Sequence, residues 1–275
     1  MADPRLYQIG TLTSLLVYGM GWLEFDVTLD RVVLVLATVL ATQWIGDRLT
    51  GGPAPFGSSA RSALISGLSL CLLLRTNRAD LAVLAAIVTI GGKFLLRVNG
   101  KHVYNPTNGG IVVMLLLTNQ VWVSPGQWGA AAFFAALMAC AGSLVVNRAA
   151  RSDVTCAFIG CYCALLFGRS FYVGEPVTIP LHRLESGALL LFTFFMISDP
   201  KTTPDSRTGR VLFAALVAFG AWYVQFRLFR TNGLLWSLAA CSTVVPLIDR
   251  IVPGPRYAWM SPRSTSTPAP VLRAA

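Results

Sequence analysis

Apolar runs close to the length that spans a bilayer recur along this 275-residue sequence and constrain its fold more than any other feature. A transmembrane helix needs about 20 mostly apolar residues, and ten candidate segments can be placed. They cover residues 6–23, 31–47, 62–75, 80–97, 106–121, 128–147, 153–171, 183–198, 209–228 and 232–249. With 55% hydrophobic and 12% charged residues, the sequence is far too apolar for a soluble domain. We predict an all-α integral membrane protein of about ten transmembrane helices.

The basic residues indicate how such a protein is oriented. The net charge is +10, but the basic residues lie between apolar runs and form no dense block, which argues against a nucleic-acid partner. With the N-terminus inside, 15 of the 22 Lys and Arg residues fall on the inner side. Positive residues favour the cytoplasmic face. We therefore expect a multi-pass protein of the cell membrane, surrounded by lipid, with both termini in the cytoplasm.

An internal repeat divides the chain into two halves. A shift of 124 residues places Thr107-Asn108-Gly109 on Thr231-Asn232-Gly233, and the same shift places Arg61-Ser62 on Glu185-Ser186. Five predicted spans separate the copies, so the halves enter the membrane from opposite sides. This predicts a five-plus-five inverted repeat. Its halves are residues 1–125 and 126–252, followed by a disordered cytoplasmic tail at 253–275 that is rich in Pro, Ser and Thr.

The first polar stretch that could carry chemistry is K-H-V-Y-N-P-T-N-G-G, residues 101–110, between two apolar runs. Asn105 precedes Pro106, a pair typical of a capped helix start. The free N–H groups of a helix start inside the protein would attract an electron-rich group. Lys101 would add a positive charge there, and Thr107 and Asn108 hydrogen-bonding groups. The alternative is an ordinary capped cytoplasmic loop.

A second polar stretch, residues 196–210, leaves an apolar run directly through Ser198 and Asp199. An ionisable group at membrane depth indicates a functional site. The alternative is that Asp199 caps a turn and pairs with Lys201 or Arg207 at the surface.

A third stretch, residues 227–233, contains Thr231 and Asn232 of the second repeat copy. Arg227 and Arg230 in the same stretch could meet a negative group near the outer face. Solvated arginines at the membrane edge are the alternative explanation.

Signatures of soluble enzymes and metal sites are scarce. All six cysteines fall inside apolar runs, where cysteine usually behaves as a small hydrophobic residue, so we predict no metal site. His102 and His182 are the two histidines, and there is no G-x-S-x-G elbow and no P-loop. These observations argue against a hydrolase and against a multihaem cytochrome.

Three motifs resemble the RnfD/NqrB family, the membrane subunits of the Rnf and sodium-pumping NADH:quinone oxidoreductase complexes. They are N-P-T-N-G-G-I-V-V-M-L-L-L from Asn105, S-G-A-L-L-L-F-T-F-F-M-I-S-D-P-K-T-T-P-D-S-R-T-G-R from Ser186, and V-P-L-I-D-R from Val245. The resemblance implies a ten-helix inverted repeat related to urea and ammonium transporters, with a flavin or electron-transfer site between the halves. The opening D-P-R-L-Y-Q-I-G is similar to that of a compact, stand-alone branch encoded in enediyne-biosynthesis clusters.

One departure limits what the resemblance implies. Family members with covalent FMN attach it through a threonine in an S-x-A-T-like motif, and the short connection T-N-Q-V-W-V-S-P-G-Q-W-G has no such motif. We expect a non-covalent flavin, riboflavin or FMN, and no covalent FMN. The residues predicted to bind it are Lys101, Asn105, Thr107, Asn108, Ser198, Asp199, Thr231 and Asn232.

Three functions remain open at this point. The first is a non-catalytic electron-transfer subunit that needs redox partner subunits. The second is a transporter or channel for a small molecule, such as a natural product or a flavin. The third is a scaffold in a membrane complex. Assembly as a homo-oligomer would follow by fold analogy.

Overall fold

The structure, a computed structural model, describes residues 3–23, 25–51, 56–124, 142–147 and 149–257. Its first helices are α1 (Pro4–Trp22), α2 (Leu29–Leu49), α3 (Phe56–Leu73), α4 (Ala79–Leu95) and α5 (Pro106–Leu117). Residues 142–147 belong to α6. The later helices are α7 (Ser152–Val173), α8 (Thr178–Leu184), α9 (Gly187–Leu191), α10 (Arg207–Phe226), α11 (Gly233–Ser242) and α12 (Val245–Ile251). A π-helical turn, Phe192–Met196, continues α9.

Four two-residue strands pair in the connections. Strand β1 (Leu74–Arg75) pairs antiparallel with β4 (Trp122–Val123), and β2 (Arg97–Val98) pairs with β3 (Lys101–His102). Asn99 and Gly100 join β2 to β3 with φ angles of 51° and 77°. Positive φ at both central residues is typical of a type I′ hairpin turn. The stretch predicted to be a polar loop therefore begins as one strand of a hairpin.

Helix packing follows the same order in the two parts of the chain. In the first part α2 packs against α3 and α4, and α4 packs against α5. In the second part α7 packs against α10, and α10 packs against α11. Helix α5 also contacts α11, so the two short helices that begin at the T-N-G motifs meet near the centre.

The protein is a mostly helical, multi-pass membrane protein. Three described helices, α2, α7 and α10, are long and apolar enough to cross a membrane. Helices α11 and α12 form a broken fourth candidate that bends by 49°. The sequence predicts ten crossings, more than the described helices supply by length and composition. The predicted span 183–198, for example, divides into the end of α8, α9 and the π-helical turn.

Some predicted boundaries lie outside the described residues. These are the division of the halves at 125/126, most of the predicted span 128–147, and residues 258–275 of the predicted tail. The first residues of that tail pack on the protein. The Tyr257 ring lies 4.8 Å from the Arg151 guanidinium carbon, and its carbonyl oxygen accepts a hydrogen bond from Lys201 Nζ at 3.4 Å.

Gly110 allows α5 to approach α4 closely. A Cβ atom at Gly110 would lie 1.9 Å from Thr89 Oγ1 and 3.0 Å from the Thr89 Cα. Thr89 is fully buried, so it has no open space into which to move. The α4–α5 contact therefore requires glycine at this position.

We predict that Gly110→Ala lowers stability by about 1–3 kcal/mol, because the added methyl group overpacks a buried contact. Thermal unfolding in mild detergent measures the change. Gly91→Ala in α4 is the matched control, since nothing lies within 4 Å of its added Cβ and helical Ala is favoured over Gly by about 0.5–1 kcal/mol. Equal melting temperatures for wild type and Gly110→Ala would contradict the packing argument.

Candidate functional site

Asn105 caps α5 as the sequence predicted. The helix begins at Pro106, and the Asn105 side-chain oxygen accepts a hydrogen bond from the Asn108 backbone N–H at 3.1 Å. Asn105 is only 7% exposed, so this helix starts inside the protein. The prediction of a buried, capped helix start is confirmed, and the ordinary solvent-exposed loop is excluded.

The Asn105 amide also joins the two parts of the chain. Its Nδ2 donates to Asp199 Oδ2 at 3.2 Å. The other Asp199 carboxylate oxygen accepts from the Lys201 backbone N–H at 3.0 Å, and the Asp199 carbonyl accepts from the hydroxyls of Thr202 and Thr203. Asp199 therefore does cap a turn, as one alternative proposed. That turn lies against the helix start rather than at the surface.

Ser198, Asp199, Asn105 and Thr107 line one cavity, which we call the Asn105 cavity. Its volume is about 130 Å³, and Thr107 and Ser198 are both buried at its wall. It is smaller than the 300–1,000 Å³ typical of sites for drug-sized ligands.

Lys93 is a residue of this cavity that the sequence analysis did not identify. It lies in α4, is 6% exposed, and donates from Nζ to Gln43 Oε1 at 2.8 Å and to Ser62 Oγ at 3.1 Å. Gln43 in turn donates to Asp47 at 2.9 Å. From the sequence, a lysine near the end of an apolar run indicates orientation. Its place within the predicted span 80–97 was the signal that could have identified it.

Asn108 does not line the Asn105 cavity; it lies in α5 on the side that meets α11. It is fully buried. In the amide orientation that satisfies both groups, its nitrogen donates to the Leu235 carbonyl and its oxygen accepts from the Ala239 N–H, each at 3.3 Å. Asn108 thus links the two short central helices through their backbones.

Lys101 lies apart from the other predicted site residues. Its ammonium group pairs with Asp205 at 2.9 Å and with Asp249 at 2.7 Å, within a separate pocket of about 370 Å³. Two carboxylates therefore balance the charge that the sequence analysis assigned to the Asn105 region.

Thr231 and Asn232 line a larger opening, which we call the Asn232 pocket. Its volume is about 530 Å³, and residues of both sequence halves contribute to it. Its polar groups include Ser186, Gln225 and Tyr162, whose hydroxyl donates to Gln225 Oε1 at 3.0 Å. Leu189, Phe192 and Met196 supply buried apolar walls. Asn232 has φ 60° and makes no capping hydrogen bond with its side chain.

Six of the eight predicted residues therefore line two separate cavities, and the π-helical turn contributes to the walls of both. Phe194 and Met196 line the Asn105 cavity, while Phe192 and Met196 line the Asn232 pocket. Met196 is common to both. Short π-helical turns often occur at functional sites.

His102 is held neutral beside the Asn105 cavity. Burial, followed by the positive charges of Arg97 and Lys93, lowers the pKa of His102 from 6.5 to about 4. Its Nδ1 is buried without a hydrogen-bond partner among the described residues. A charged imidazole here would be strongly disfavoured.

We predict that exchanging the side chains of Asn105 and Asp199 distinguishes the two roles of Asn105. One role is to cap α5, and the other is its hydrogen bond to Asp199. Asn105→Asp keeps a capping oxygen but sets two carboxylates against each other, and should cost about 1–3 kcal/mol. Adding Asp199→Asn to this variant restores a hydrogen-bond donor and an acceptor between positions 105 and 199. The double variant should regain most of the lost melting temperature. Additive losses in this double-mutant cycle would mean that the two residues do not interact.

We predict that His102 weakens the fold in acid. Because its folded pKa lies below the unfolded value, protonation favours unfolding as pH falls from 6.5 toward 4. The loss should approach about 3 kcal/mol below that window. His102→Gln should flatten the fall in melting temperature across it. His182→Gln, at a side chain that is 86% exposed, is the control and should retain the wild-type slope.

The interrupted helices, the short central helices and the cavities between them place this molecule among multi-pass membrane proteins with discontinuous helices. A family model described as "NQR2, RnfD, RnfE family" matches residues 116–257, just over half of the chain. The chain belongs to this family. The matched region contains the Asp199 turn, and it contains Thr231 and Asn232 of the Asn232 pocket. Asn105 lies before the matched region.

Several relatives are named as a subunit of an ion-translocating oxidoreductase complex. The protein of Tolumonas auensis is 36% identical over 94 residues, which are 34% of this chain and 27% of the relative. That of Escherichia coli K12 is 26% identical over 133 residues, 48% of this chain and 33% of the relative. The protein of Cronobacter sakazakii is 36% identical over 75 residues, which are 27% of this chain and 21% of the relative. The matches thus span a fifth to a third of these relatives.

Proposed function

We propose that this protein is a membrane subunit for electron transport that holds a non-covalent flavin in the Asn232 pocket. The observation that carries the proposal is the pocket itself, about 530 Å³ in volume, which is lined, apart from Leu73, by residues of the segment that matches the family. The names of the relatives, subunits of an ion-translocating oxidoreductase complex, support the role. By itself the protein would not catalyse a reaction; partner subunits would supply and remove electrons.

The pocket residues fit a flat, amphipathic ring. Sites for such molecules are mostly apolar, with a few polar groups that fix orientation. Phe192, Met196 and Leu189 would contact the ring faces, and Asn232, Gln225 and Ser186 would bind its polar edge. A bound flavin supplies electron transfer in steps of one or two electrons. The role of the chain is to orient the ring, to exclude water and to tune its hydrogen bonds.

The Asn105 cavity has a different part in this proposal. With about 130 Å³ it is too small for the ring system, so Asn105, Thr107, Ser198 and Asp199 would not contact the flavin directly. They would fix the position of the π-helical turn, and through Met196 the wall of the Asn232 pocket. Lys101 would remain paired with its two carboxylates.

We also propose that the helices form the five-plus-five inverted repeat predicted from the sequence. Shifted by 124 residues, α2 falls on residues 153–173, and α7 covers Ser152–Val173. Shifted α5 falls on residues 230–241, and α11 covers Gly233–Ser242. The cavities correspond as well, since Ser62 and Thr107 line one while Ser186 and Thr231 line the other. The relation to the urea and ammonium transporter fold belongs to the same proposal.

Several further features complete the proposal. The protein would reside in the cell membrane with both termini in the cytoplasm, as the distribution of Lys and Arg predicts. It would assemble with redox partner subunits, as its relatives' names indicate, or with copies of itself. The resemblance of its opening residues to the compact branch from enediyne-biosynthesis clusters belongs to the same proposal.

A second candidate function is transport of a small molecule. It is favoured by the two cavities, which meet at the single side chain of Met196. Cargo would pass between them, with Asp199 and the T-N-G turns as binding groups. Flux of a flavin into vesicles without any redox partner would support this candidate. Electron transfer without flux would exclude it.

We predict that protein extracted gently from membranes carries a flavin absorbance in the visible range, and that Asn232→Gly lowers its flavin content about tenfold through lost hydrogen bonds. Glycine tolerates the φ of 60° at this position, so the substitution removes the amide without strain. Asn99→Gly is the matched control, because Asn99 has φ 51° in the distant hairpin. Absence of flavin from the wild-type protein would contradict the proposed function.

A further inference from the structure

Two arginines stand at the mouth of the Asn232 pocket. Arg183 of α8 and Arg230, which precedes α11, both line it, and both are exposed. Deeper in the pocket, Leu189, Phe192 and Leu235 are buried. The described lining residues include no Asp or Glu. The pocket therefore has an apolar floor and a positively charged entrance.

The charge at this entrance is not neutralised by neighbouring carboxylates. Arg169 and Arg183 lie over the ring of Phe226, with guanidinium carbons 4.4 Å and 5.0 Å from its centre. Arg169 has a carboxylate partner, Glu175, at 2.7 Å. Neither Arg183 nor Arg230 forms an ion pair with any described residue. The ring of Phe226 holds the Arg183 guanidinium near the opening, and cation–π contact leaves its N–H donors available for an anion.

We propose that Arg183 and Arg230 bind the phosphate group of an amphipathic ligand whose apolar part enters the Asn232 pocket. Arginine binds phosphate through paired, charge-assisted hydrogen bonds. The pocket supplies the apolar volume that such a ligand needs beside its charged group. The phosphate belongs either to flavin mononucleotide or to a phospholipid headgroup. If the ligand is flavin mononucleotide, the inference rests on the proposed flavin function. The pocket would then bind FMN in preference to riboflavin, which has no phosphate.

Flavin titration tests the first source. The full chain is placed in zwitterionic phosphatidylcholine nanodiscs, and quenching of flavin fluorescence gives the affinities for FMN and for riboflavin, which has the same ring without phosphate. Wild-type protein should bind FMN at least about tenfold more tightly, as charge-assisted hydrogen bonds predict. In the double variant Arg183→Gln, Arg230→Gln this preference should disappear while riboflavin affinity stays the same, which also verifies folding.

The lipid arm tests the second source without flavin. Phosphatidylglycerol added to the nanodiscs should raise the melting temperature of the wild-type protein but not that of the double variant, if the ligand is an anionic headgroup. Arg227→Gln is the control in both arms, because Arg227 is an exposed arginine of the same connection that does not line the pocket. It should behave as wild type.

The outcomes separate this inference from the proposed function. Equal binding of FMN and riboflavin, with no effect of phosphatidylglycerol, overturns the phosphate site but leaves the flavin function intact. A phosphatidylglycerol effect that requires both arginines, without any flavin binding, supports the site and overturns the flavin function. An equal loss in Arg227→Gln and in the double variant means a general surface-charge effect and overturns the site.

Discussion

A helix that begins inside an apolar layer must satisfy the backbone N–H groups of its first turn within the protein, because no water is there to bind them. Asn105 meets this requirement for α5 with its side-chain oxygen. The nitrogen of the same amide donates to Asp199 and so fixes the turn that follows the π-helical segment. One side chain thus sets both the start of a central helix and the position of the opposing segment.

The two T-N-G motifs differ because only one has this cap. A shift of 124 residues from Asn105 leads to Phe229, which cannot cap a helix and is 82% exposed. Helix α11 accordingly starts later, at Gly233, and its Asn232 side chain forms no capping hydrogen bond. The capped copy encloses about 130 Å³ and the uncapped copy opens onto about 530 Å³. The two T-N-G turns therefore line cavities of different size.

Local signals predicted local features well. The Asn-Pro pair located the start of α5, which begins at Pro106. Contacts between segments far apart in the chain could not be predicted from the sequence. Nothing in the order of residues indicated that Asp205 and Asp249 would neutralise Lys101, or that Asn108 would bond to the backbone of α11. Such contacts depend on the packing of helices far apart in the chain. Lys93 is an intermediate case, since its burial was implied by its place in an apolar run.

The π-helical turn is enclosed by protein on every side. None of its five side chains, Phe192 to Met196, is more than 5% exposed. Helices that face lipid must match the hydrocarbon thickness, or else tilt or deform the bilayer around them. This segment has no lipid-facing surface, so its length is set by the helices around it. The helices α2, α7 and α10 would adjust to a change in membrane thickness by tilting. The distance between the two cavities would therefore be the same in thin and thick bilayers.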